Sequence, residues 1–171
     1  MKLLLIILSF FLTSCLKPDP NINEDTGTDE LANLEVEDPL RKSEMAYEDI
    51  IYVPIYSDIY MDANNQKTLL AATLSIRNTS YADSIFISKI DYFNTNGTLV
   101  RKYLSNQISL PPMATINYVI EREDDTGGTG ANFIVKLSAR NTEVKPLIQA
   151  VMIGQSGNKG FSFATDGYSI K

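Results

Sequence analysis

The 171-residue chain has no histidine and no tryptophan, and its only cysteine is Cys15. Without histidine there is no Ser-His or Cys-His nucleophile pair, no histidine-bearing zinc site and no side chain that titrates unperturbed near neutral pH. A single cysteine cannot close a disulfide within the chain. With no tryptophan either, the disulfide-and-tryptophan core of antibody domains is excluded. Long apolar runs are scarce too. The one present, Leu3 to Leu12, is too short to cross a bilayer, which takes about 20 residues.

That short run is framed in an informative way. Lys2 precedes it, Leu12-Thr13-Ser14-Cys15 closes it, and Lys17-Pro18-Asp19 stops it. A positive start, a brief apolar core and small residues before a cleavage point make a secretory signal over residues 1–14. The closing tetrad resembles a bacterial lipoprotein signal. The resemblance implies that Cys15 becomes the first residue, its thiol carrying a diacylglyceryl group and its amine an acyl chain such as palmitate. Several chains on one residue anchor stably, whereas a single chain holds only marginally. The expected partner is therefore the membrane, through Cys15, and the expected place is the cell envelope. Leu16, not aspartate, follows the cysteine, which favours the outer membrane over the inner.

The net charge of −6 is unevenly spread. Leu16 to Ala46 holds nine acids against three bases, while Tyr47 to Lys171 holds twelve against eleven. Residues 15–46, acidic and poor in large apolar side chains, are expected to form a disordered tether. Residues 47–171 are long enough for one core. A near-neutral domain lacks the basic stripe that nucleic acid binding requires, so nucleic acid is not an expected partner.

Within the domain the periodicity is that of strands. Ile51, Val53, Ile55 and Ile59 share one parity and Tyr52, Pro54, Tyr56 and Tyr60 the other. Leu70, Ala72, Leu74 and Ile76 alternate likewise. Asn96-Gly97 predicts a tight hairpin between Ile85–Phe93 and Leu99–Tyr103. Further strands are expected over 116–122, 133–139 and 148–153. Short strands, regular turn signals and no long helical pattern predict an all-β fold, an immunoglobulin-like β-sandwich, with a small β-barrel as the alternative.

Catalytic patterns are incomplete. Ser156 and Lys159 have Ser-x-x-Lys spacing, but no companion motif is present, and Gly157-Asn158 reads as a turn. Glu123, Asp124 and Asp125 lead into Thr126-Gly127-Gly128-Thr129-Gly130. Those oxygens could hold calcium, or could form a solvated shoulder on a loop; no other cofactor is expected. A carboxylate hydrolase such as a glycosidase would need two acids facing each other across a cleft, roughly 5 to 10 Å apart. Tyr52, Tyr56 and Tyr60 are the candidate ligand-binding row, since tyrosine offers flat apolar area with a polar tip. The same row could instead cover a second sheet. A binding module for an envelope protein, peptide or glycan is the leading expectation, and the hydrolase is the alternative.

Five blocks occur in order: Tyr52-Val53-Pro54-Ile55-Tyr56-Ser57, Thr73-Leu74-Ser75-Ile76-Arg77-Asn78-Thr79, Asp91-Tyr92-Phe93-Asn94-Thr95-Asn96-Gly97, Gly127-Gly128-Thr129-Gly130-Ala131-Asn132-Phe133 and Val151-Met152-Ile153-Gly154. Together they resemble the bacterial family of domain of unknown function 3124. The resemblance implies small exported or lipid-anchored envelope proteins with one β-rich domain. It assigns no catalytic residue.

Overall fold

The computed structural model describes residues 33–64 and 66–171. The expected signal segment, Cys15 and the expected tether as far as residue 32 lie outside the described residues. In chain order the strands are β1 (Tyr47–Pro54), β2 (Asp58–Tyr60), β3 (Lys67–Arg77), β4 (Ile85–Phe93), β5 (Leu99–Lys102), β6 (Ile108–Leu110), β7 (Thr115–Ile120), β8 (Asn132–Ala139), β9 (Leu147–Ser156), β10 (Lys159–Asp166) and β11 (Tyr168–Ser169). No α-helix occurs among the described residues.

The strands form two antiparallel sheets. Sheet 1 runs β11-β1-β8-β4, with β5 and β6 side by side along the far edge of β4. Sheet 2 runs β10-β9-β3, with β2 and β7 sharing the far edge of β3. The sheets do not close on each other, so the fold is the expected sandwich and the barrel alternative falls away. Alternation decides which side faces in. Leu70, Ala72, Leu74 and Ile76 of β3 and Ile148, Ala150 and Met152 of β9 meet Val53, Ile87, Ile90, Phe133 and Val135 of sheet 1 in one core.

Three local features differ from the sequence expectation. The stretch 51–60 is not one strand. β1 ends at Pro54, which has no N–H for a ladder, and the chain crosses at Ile55–Ser57 to enter sheet 2 as β2. The β4–β5 hairpin is wider than a two-residue turn. Asn94 N–H bonds to Thr98 O at 3.0 Å, and Gly97 alone takes positive φ, at 75°. That combination is a three-residue loop closing with a left-handed glycine.

The third difference concerns the tether, expected to run disordered to residue 46. From Leu34 onward the chain is strapped to the domain. Ser109 N–H bonds to Leu34 O at 2.8 Å, and Val36 N–H to Gln107 O at 3.0 Å. Glu35 bridges to Ile108. Leu40 is buried, and its N–H bonds to Gln107 Oε1 at 2.7 Å. The apolar Leu34 and Leu40 anchor an otherwise acidic segment, which average composition hides. The strap lies beside β6, which pairs with the start of β4. The other end of β4 leads into Asn94, roughly 25 Å away at the usual strand rise.

Candidate functional site

At that other end lies a polar cleft of about 390 Å³, built from three segments. Asp58, Tyr60 and Lys67 come from β2 and β3, Asn94-Thr95-Asn96 from the β4–β5 loop, and Asp125 to Thr129 from the loop before β8. Asp58 and Tyr60 share a face of β2 by strand periodicity, and the β2–β3 register sets Lys67 opposite Tyr60.

The glycine-rich loop is fixed by close approach. Ser57 Oγ and the Tyr92 hydroxyl are 2.8 Å apart in a buried hydrogen bond. A Cβ on Gly127 would stand 1.9 Å from that hydroxyl and 2.4 Å from Ser57 Oγ. No side chain fits there. The next residue, Gly128, has φ of 74°, the left-handed region. Thr95 stitches the loop to the hairpin: its hydroxyl donates to Gly127 O at 3.0 Å and accepts from Gly130 N–H at 2.9 Å. Ser57 N–H bonds to Gly128 O at 3.0 Å, so the β1–β2 crossover holds the loop from the other side. Burial raises the Tyr92 phenol above its ordinary pKa, which keeps the hydroxyl neutral in its bond to Ser57.

Charge in the cleft centres on Asp58. The residue is 5% exposed, and Lys67 Nζ stands 3.0 Å from its Oδ1. The carboxylate and the ammonium form an ion pair in which Asp58 is buried and Lys67 is exposed. Hydrogen bonding to Asp58, and then its charge, raise the Lys67 ammonium above its ordinary pKa, with Asp125 a smaller contributor, and the ammonium stays charged. Lys67 Nζ also lies over the Tyr60 ring, 5.1 Å from its centroid, while that ring is 54% exposed.

The tyrosine row expected from the sequence does not exist as one face. Tyr52 packs beside Tyr168 in sheet 1, centroids 5.6 Å apart, and Tyr56 meets Phe163 edge-on at 5.9 Å. Only Tyr60 lines the cleft. Tyr52 and Tyr56 stay near enough to couple electrostatically, and the crossover at Ile55–Ser57 parts Tyr60 from them. The acids also separate. Asp124 bonds to Arg101 Nη2 at 3.2 Å and to Thr126, Glu123 is exposed, and Asp125 faces the cleft. Among the described residues no three Asp, Glu, His or Cys gather as a metal-binding group.

Sequence reasoning missed Asp58, Lys67 and the Asn94–Asn96 loop as site residues. The signal was present in the order of the blocks. Ser57, Tyr92 to Asn96 and Gly127 to Gly130 come from three of the five, and these three meet at the cleft. A model of the family described as protein of unknown function (DUF3124) matches residues 48–170. The chain belongs to this family. The match covers the folded domain, so the DUF3124 fold here is the two-sheet sandwich with the cleft at one end. No curated protein matches the chain. A crystal structure of Thermotoga maritima 1070 is similar at 13% identity and a TM-score of 0.43, over 72% of this chain and 96% of that one.

Proposed function

We propose that this DUF3124 protein is a binding module held on the bacterial envelope by lipid at Cys15, and that the cleft takes a glycan. The observation that carries the reading is the Asp58–Lys67 ion pair, an acceptor and a donor side by side in the cleft wall, with the exposed Tyr60 ring against the ammonium. Sugar hydroxyls both donate and accept. One hydroxyl donating to the Asp58 carboxylate and a neighbour accepting from Lys67 would bridge the ion pair. Asn96 and Thr129 add neutral polar groups to the rim, and Tyr60 offers apolar area for the face of a ring. An anionic ligand would meet Asp58 and Asp125, whereas a neutral polyhydroxyl ligand meets no such opposition.

The strap supports the same arrangement. It joins the domain at the end of β4 away from the cleft, so a tether from Cys15 would leave the cleft free to face outward. The outer membrane is the favoured location, on the identity of Leu16.

A glycan array probed with the purified chain tests the ligand class. Binding to saccharides by the native protein, reduced at least about tenfold in Tyr60→Ala, fits the reading. No saccharide bound, or peptides bound instead, refutes it. Radiolabelled palmitate that enters the native chain and not Cys15→Ala tests the anchor. Asp58 and Asp125 on one cleft favour a second reading, a carboxylate hydrolase. New reducing ends released from the bound saccharide would identify that activity.

A further inference from the structure

The edges of this sandwich are unequal. Along sheet 1, β11 is two residues long, β5 and β6 divide the other edge, and the strap covers β6. Along sheet 2, β2 and β7 divide one edge between them. The opposite edge is β10, eight residues paired with β9 without a bulge, and no other backbone hydrogen bond reaches it among the described residues.

The tight turn at Gly157-Asn158 makes Ser156 and Lys159 the closing hydrogen-bonded pair. By alternation Lys159, Phe161, Phe163 and Thr165 bond to β9, while Gly160, Ser162, Ala164 and Asp166 aim their N–H and C=O groups at the open side. Natural sheets blunt such edges with lysine, proline, bulges or brevity. Gly160 to Thr165 has none of these. Its outward side chains are small and uncharged, and the inward Phe161 and Phe163 are only half-buried at the rim of the core.

We propose that β10 is a self-association edge, pairing antiparallel with β10 of a second copy to extend sheet 2 across a two-fold axis. An antiparallel edge is its own complement under that symmetry. Pairing sets Gly160, Ser162 and Ala164 against equally small residues and brings the same two phenylalanines of each copy to the shared rim. It also lays the Lys159 end of one strand beside the Asp166 end of the other. The inference is independent of the ligand in the cleft, which lies between β2 and the glycine loop.

Sedimentation velocity of the purified full chain in density-matched detergent tests this, together with amide hydrogen exchange. The expected result is a monomer–dimer equilibrium in the micromolar to millimolar range, the weak end for a small interface. Gly160, Ser162 and Ala164 amides should slow their exchange as concentration rises. Ala164→Pro removes one outward N–H without touching the β9 ladder, and Ser162→Lys sets like charges against each other. Each should weaken dimerisation at least about tenfold while the thermal midpoint of the monomer stays near that of the native chain. A chain that remains monomeric at about 1 mM, or a dimer that neither substitution weakens, overturns the proposal. Ser162→Lys decides the matter if Ala164→Pro fails to fold.

Discussion

Gly127→Ala isolates the close approach that shapes the cleft. The residue has φ of −77° and ψ of −43°, a conformation open to any amino acid. On backbone grounds alone alanine would stabilise the domain by about 0.4–1 kcal/mol, through the unfolded chain. The contacts dictate the opposite sign. The new methyl would stand 1.9 Å from the Tyr92 hydroxyl, 2.4 Å from Ser57 Oγ and 2.8 Å from Ala131 Cβ. Forced repacking costs about 1–3 kcal/mol, and breaking the buried Ser57–Tyr92 bond costs about 1–3 more. A net loss of roughly 1–5 kcal/mol follows, a fall in Tm of about 4–20 °C for a domain of this size. Tyr92→Phe provides the control. Alone it strands the buried Ser57 hydroxyl and costs about 1–2 kcal/mol; beside Gly127→Ala it removes the atom with which the methyl collides. The double variant should therefore lose at least about 1 kcal/mol less than the two single losses added. Urea unfolding of all four proteins gives the cycle. A Gly127→Ala variant as stable as the native chain, or strictly additive losses, would refute the packing argument.

Tyr118 is 6% exposed and its hydroxyl has no partner among the described residues, so Tyr118→Phe should raise stability by about 1 kcal/mol in urea unfolding, where a loss would mean the hydroxyl is satisfied. Leu40→Ala should cost about 2–4 kcal/mol, because Leu40 pins the strap under full burial; an unchanged midpoint would show the strap to be loosely attached. Glu48 is held at a pKa of about 2, against an ordinary 4.5, by hydrogen bonds from Lys171 and Lys136. A depressed carboxylate stabilises the fold above its unfolded pKa and loses that effect as pH falls through its folded one. The native chain should therefore lose its stability advantage over Glu48→Gln between about pH 4.5 and 2, and the difference should shrink with salt because the pair is exposed. A difference that stays flat across that window would contradict the pairing.

Much of the fold was legible because a half-buried strand writes its burial into alternate residues. Leu70 to Ile76 and Ile148 to Met152 read directly as core faces. The same logic misled at 51–60, where Pro54 interrupts the ladder but leaves the parity of Ile55 and Ile59 intact, so one strand could not be told from two. Leu34 and Leu40 were hidden for a different reason. Two anchoring side chains suffice to dock a strap, and they do not alter an acidic composition. The cleft was legible only in pieces. Tyr60 and Asp125 belong to unrelated sets in the sequence, while Asp58 and Lys67 become neighbours only through the β2–β3 register. Antiparallel register is a long-range property, and no local pattern encodes which strand crosses to the other sheet.

The glycan-binding cleft is the central claim, and residue-level NMR tests it most directly. The isotope-labelled chain would be titrated with the saccharide selected on the array, and backbone amide shifts followed. Movements concentrated at Asp58 to Tyr60, Asn94 to Asn96 and Asp125 to Thr129, abolished by Tyr60→Ala in a protein that keeps its native spectrum elsewhere, are the predicted result. Shifts confined to another surface, or none at saturating saccharide, would contradict it.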